Sequence, residues 1–80
     1  MRIPNLGEVL IGRDGQKWAV SEVTTADEIA NELDDGETVD ADYFLVTVVV
    51  GDDPDDLDAD SFEFINTEFA QFCEDEGIKI

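Results

Sequence analysis

From position 8 to 23 two mostly apolar runs, 9–11 and 18–20, flank a polar, glycine-containing turn; apolar residues then run almost unbroken from 43 to 50 and return at helical spacing from 62 to 73. The first stretch predicts a β-hairpin. Residues 8–12 and 16–23 flank Arg13-Asp14-Gly15, and an Asp-Gly pair suits a tight turn because such turns need positive φ. In the second strand Trp18, Val20 and Glu22 share one face, and Lys17, Ala19, Ser21 and Val23 share the other. The face of Trp18 and Val20 is expected to point inward.

A helix is predicted over residues 24–35. Thr25 and Glu28 have the spacing of a capping box, and Ala26, Ile29, Ala30 and Leu33 form one apolar stripe. Gly36 suits the left-handed position just past its end. Residues 43–50 are β-branched and aromatic with almost no alternation. That pattern predicts a strand covered on both faces, at the centre of a sheet. Asp53 before Pro54 predicts a single capped turn, with Leu57 anchoring it to the core. Phe62, Ile65, Phe69, Phe72 and Cys73 then follow helical spacing, with Asp60 and Glu63 as a second capping pair and Gly77 as the stop. Phe62-Glu63-Phe64-Ile65 also reads as the opening of a strand. Residues 78–80 read as a short terminal strand. The expectation is one α+β domain over residues 1–80, a small sheet in the order β-β-α-β-α-β covered by two helices.

Charge changes this picture more than length does. The chain has 80 residues, 22 acidic and 4 basic, for a net charge of −18. Residues 1–26 balance three acids (Glu8, Asp14, Glu22) against three bases (Arg2, Arg13, Lys17). Lys79 is the only base after them. Such a surface repels nucleic acid and anionic lipid and attracts basic partners at long range. No apolar run approaches the roughly 20 residues of a membrane span. The opening residues lead into no signal-type segment, and one cysteine makes no internal disulfide, so a cytoplasmic location is expected.

Catalytic chemistry has little to build on. There is no histidine, which removes Ser-His and Cys-His pairs, and Cys73 lies on an apolar stripe as a small hydrophobe. No enzyme activity and no cofactor are expected. Asp56, Asp58 and Asp60 start like a calcium-binding loop, but Ser61 stands where its glycine belongs and Thr67 where its glutamate belongs. A metal site is therefore not expected.

The carboxylates instead fall into two groups. Asp34, Asp35, Glu37, Asp40 and Asp42 precede the central strand, and Asp52, Asp53, Asp55, Asp56, Asp58 and Asp60 follow it. An eight-residue strand separates them by roughly 27 Å. Glu63, Glu74 and Asp75 offer a third row on the later helix. Duplex DNA carries about one charge per 1.7 Å of its axis, and carboxylates in rows suit the basic grooves that read it. The bland alternatives are a small acidic adaptor whose function the sequence does not name, and adaptation to molar salt, as in a haloarchaeal or haloviral protein. Salt adaptation would spread acid over the whole surface, whereas the first 26 residues are balanced.

In size, charge and these two acidic groups, the chain resembles small phage proteins that mimic DNA, among them many anti-CRISPR inhibitors. That class shares no diagnostic motif. The resemblance implies an inhibitor in the host cytoplasm whose partner is the basic groove of a nucleic-acid-binding protein, a Cas effector complex being one instance. It implies no contact with nucleic acid itself.

Overall fold

The computed structural model describes residues 3–31 and 42–78. Four strands, β1 (Val9–Ile11), β2 (Lys17–Thr25), β3 (Phe44–Val50) and β4 (Ser61–Ile65), form one antiparallel sheet in the order β1-β2-β3-β4. Helix α1 (Ala26–Ala30) follows β2, and helix α2 (Asn66–Glu76) follows β4. The fold is α+β, as the sequence pattern predicts. Beyond the expected order, the described residues hold one extra strand, β4, ahead of the last helix. Of the terminal strand expected over 78–80, only Ile78 lies within the described residues, and it belongs to no strand.

The hairpin forms as expected. Gly12 donates its N–H to the Gln16 carbonyl oxygen at 2.8 Å, and Gly15 supplies the positive φ of +87°. Further along β2 the alternation breaks. Val20 pairs with Val48 and Glu22 pairs with Thr47, so Ser21 has no partner and forms a bulge. Its hydroxyl donates to the Thr47 carbonyl oxygen at 3.3 Å. A bulge of one residue reverses which side chains face inward. Trp18 and Val20 face the core as expected, but beyond the bulge Val23 packs against it and Glu22 is exposed.

Strand β3 lies inside the sheet, paired on both edges. Phe44, Val46 and Val48 are buried on one face, and Val49 is buried on the other. On the Phe44 face lies the core of Leu10, Val20, Phe44, Val46, Val48, Phe69, Cys73 and Ile78. Phe69 and Cys73 bring α2 onto this face, and Trp18, Val23, Phe64 and Phe72 pack around it. Phe64 stacks on Phe72 with ring centroids 4.8 Å apart, and Phe72 meets Trp18 edge-on at 5.1 Å.

Residues 61–65 form a strand although Phe62 and Ile65 also fit the helical stripe. Both spacings use the same residues, and the free edge of β3 decides between them. Paired there, Phe62 lies opposite Val48 and Phe64 opposite Val46, which sends both phenylalanines to the core side. The helix starts at Asn66 instead. The Asp60–Glu63 capping pair therefore does not form, and the Glu68 carboxylate accepts the Ile65 N–H at 3.2 Å in its place. At the other end Gly77 adopts φ +70°, with Gly77 N–H bonded to Glu74 and Ile78 N–H bonded to Cys73, a Schellman stop.

Helix α1 is shorter within the described residues than the predicted 24–35. Thr25 makes no side-chain cap because it is the last residue of β2, paired with Phe44. Ala26 and Ile29 are half-buried and Ala30 is exposed. Leu33, Gly36 and the acids Glu32, Asp34 and Asp35 lie outside the described residues.

Candidate partner-binding surface

The connection between β3 and β4 carries the densest charge in the chain. Its base is closed by Val50 N–H to the Asp60 carbonyl oxygen at 2.9 Å and by Gly51 N–H to the Lys17 carbonyl oxygen at 2.9 Å. Gly51 adopts φ +115°, a conformation that L side chains rarely take. The second of these bonds ties the loop to β2, so its start is held by two strands.

Within the loop, aspartate side chains do the folding. Asp53 Oδ1 accepts the Asp55 N–H at 2.9 Å, and Asp56 Oδ1 accepts the Asp58 N–H at 3.0 Å. Asp56 N–H also reaches the Asp53 carbonyl oxygen at 3.3 Å, with Pro54 as the second residue of that turn. The capped turn predicted at Asp53-Pro54 is therefore present, as a β-turn rather than a helical one. Leu57 does not anchor it. That side chain is 97% exposed, because the two aspartate-to-backbone turns hold the loop without it, with Leu57 as the middle residue of the second.

All six aspartates of the loop are exposed. Asp53 and Asp56 each spend one oxygen on the backbone. Among the described residues, Asp52, Asp55, Asp58 and Asp60 accept no side-chain hydrogen bond and pair with no cation, so their carboxylates are open to a partner. Among the described residues, no three His, Cys, Asp or Glu side chains converge to hold a metal ion.

Of the second predicted group, Asp34, Asp35, Glu37 and Asp40 lie outside the described residues. Asp42 is exposed just ahead of β3, and the 52–60 loop leaves that strand's far end, so Asp42 and the loop bracket it. The third row is not built as expected. Glu63 belongs to β4, opposite Thr47 and on the face away from α2, while Glu74 and Asp75 are exposed on α2.

The pattern of residues gave no hint of Arg13 as part of this region. Its backbone N–H donates to the Glu76 carbonyl oxygen at 2.7 Å, and its guanidinium donates to the Asp75 carbonyl oxygen. A cation thus sits on the unpaired carbonyls at the negative end of α2. The contact spans 62 residues, and no local signal pairs such distant positions.

Cys73 is buried, and burial pushes its thiol up to about 11. The cause is desolvation rather than the neighbouring carboxylates. A thiol held neutral is a poor nucleophile. Trp18 is also a core residue, although its Nε1–H is buried with no acceptor among the described residues.

No family model, no curated protein and no solved structure matches the chain. No helix among the described residues is long and apolar enough to cross a membrane.

Proposed function

We propose that the protein is an inhibitor that presents its 52–60 loop to the basic groove of a nucleic-acid-binding protein, such as a CRISPR nuclease complex, as a substitute for phosphate backbone. The observation that carries this reading is the loop itself: six exposed carboxylates within nine residues, on a backbone tied down by its own side chains. A tied loop loses less conformational freedom on binding than a slack one. Open carboxylates attract Lys and Arg over a distance and add to the association rate. The reading needs no catalytic residue and no cofactor, and its site is the host cytoplasm.

The test is a pull-down from bacterial lysate at low salt, eluted once with duplex DNA and once with salt. Discrete nucleic-acid-binding proteins released by DNA support mimicry and name the partner. A diffuse set of basic proteins released by modest salt alone refutes it and leaves salt adaptation as the reason for the charge. With the partner in hand, Asp55, Asp56 and Asp58 are changed together to Asn. Asparagine keeps the Oδ1 acceptor, so the turn at Asp56 survives while three charges go. At about 0.5–1 kcal/mol per exposed pair, binding weakens about 10- to 100-fold. Unchanged affinity refutes the loop as the site.

A further inference from the structure

The large apolar side chains left exposed are not scattered. Ile3, Leu6, Val9 and Ile11 are 38%, 70%, 37% and 57% exposed, and only Leu57 and Phe62 join them from the rest of the described chain. Leu10 faces the core, so Val9 and Ile11 project from the opposite face of β1, away from α2. Strand β1 is an outer strand, and nothing among the described residues pairs with its free edge. Leu6 stands just ahead of it, on a turn closed by Glu8 N–H to the Asn5 carbonyl oxygen at 3.0 Å, with Gly7 at φ +83°.

This apolar edge coincides with the charge-balanced part of the chain. Residues 1–26 hold three acids and three bases in a molecule of net charge −18. The order β1-β2-β3-β4 sets β1 two to three strands away from the acidic loop that joins β3 to β4. At about 4.8 Å per strand that is about 10–14 Å, beyond the Debye length of about 8 Å at physiological salt.

We propose that the β1 edge binds a second copy of this chain, with β1 pairing antiparallel to its counterpart across a twofold axis. A twofold interface must be complementary to itself. A neutral strand edge meets that condition, because each unpaired N–H finds a C=O on the other copy. With the axis at Leu10, Val9 of one copy lies against Ile11 of the other, and the two sheets join into one of eight strands. A basic partner would be steered to the aspartates instead, which leaves this edge to an occupant as neutral as itself. The two acidic loops then lie toward the outer edges of the joined sheet, where their repulsion is least. A three-residue strand with Leu6 beside it buries less than the roughly 800 Å² per partner of a stable interface, so the dimer is weak. The inference stands whether or not the loop binds a basic groove.

Sedimentation of the full chain from about 5 to about 500 µM, at about 0.5 M salt to screen the charge, tests it. The mass is expected to rise from the 8.8 kDa of one chain toward twice that value. Ile11→Lys and, separately, Val9→Lys should weaken association at least tenfold while circular dichroism and Tm stay those of the parent, since both side chains are exposed. Leu57→Lys should leave association unchanged. A parent chain that stays monomeric over the whole range overturns the proposal. So does an Ile11→Lys variant that dimerises like the parent, or a dimer lost on Leu57→Lys.

Discussion

Gly77→Ala tests the contact that joins the hairpin turn to the end of α2. Gly77 sits at φ +70°, where an alanine costs about 1–2 kcal/mol. Restricting the unfolded chain returns about 0.4–1 kcal/mol of that. The larger effect is steric. A Cβ added at Gly77 would lie 2.8 Å from the Cβ of Arg13, too near the backbone for a side-chain rotation to relieve. The turn must shift, at the roughly 1–3 kcal/mol typical of overpacking, and Arg13 loses its hold on the Asp75 and Glu76 carbonyls. The net expectation is about 3 kcal/mol of destabilisation, or about 15 °C in Tm for a domain of this size. Urea unfolding followed by Trp18 fluorescence suits the measurement, since that indole is packed against Phe62 and Phe72. Arg13→Gly removes the opposing Cβ. In that background Gly77→Ala should cost about 1–3 kcal/mol less, the steric part of its effect. A single-variant cost below about 0.5 kcal/mol, or the same cost in both backgrounds, would refute the close approach.

Phe69 is fully buried, and Phe69→Ala should cost about 3–5 kcal/mol, enough to leave so small a domain largely unfolded by circular dichroism at room temperature. Trp18→Phe should cost under about 1.5 kcal/mol in urea unfolding followed by circular dichroism, because losing indole volume is offset by removing a buried N–H that has no acceptor among the described residues. The folded Cys73 thiol, at about 11, lies above its ordinary value of 9.0, so folding favours the protonated form. Its contribution is intact below pH 9 and is lost as pH rises toward about 11. The stability of the parent should therefore fall faster over that window than that of Cys73→Ala, and equal slopes would refute the buried thiol. The Asp55, Asp56 and Asp58 to Asn variant should be more stable than the parent at low salt, by thermal melting, with the difference shrinking as salt rises.

Much of the architecture was legible because local chemistry dictates it. Asp14-Gly15 makes a turn in any context that admits one, residues 43–50 suit little but a strand, and Gly77 stops a helix because it takes positive φ without cost. The charge division is likewise a property of the chain alone, and so is the density of the 52–60 loop. What needed the tertiary structure were the choices between two local readings of the same residues. Phe62 and Ile65 satisfy a helical stripe as well as a strand, and the unpaired edge of β3 settled it by offering a ladder of hydrogen bonds and a place for Phe62 and Phe64 on the core side. Thr25 reads as a cap until β3 claims it as a ladder partner for Phe44. The bulge at Ser21, which turned Val23 inward and Glu22 outward, arises in the register between two strands. Leu57 looked like an anchor because apolar residues usually are, yet aspartate side chains closed the loop without it. The Arg13 contact joins residues 62 apart, and packing alone brings them together. Local rules thus determined the kinds of element and the distribution of charge, while pairing across the sheet decided where each element begins and which side chains are left for a partner.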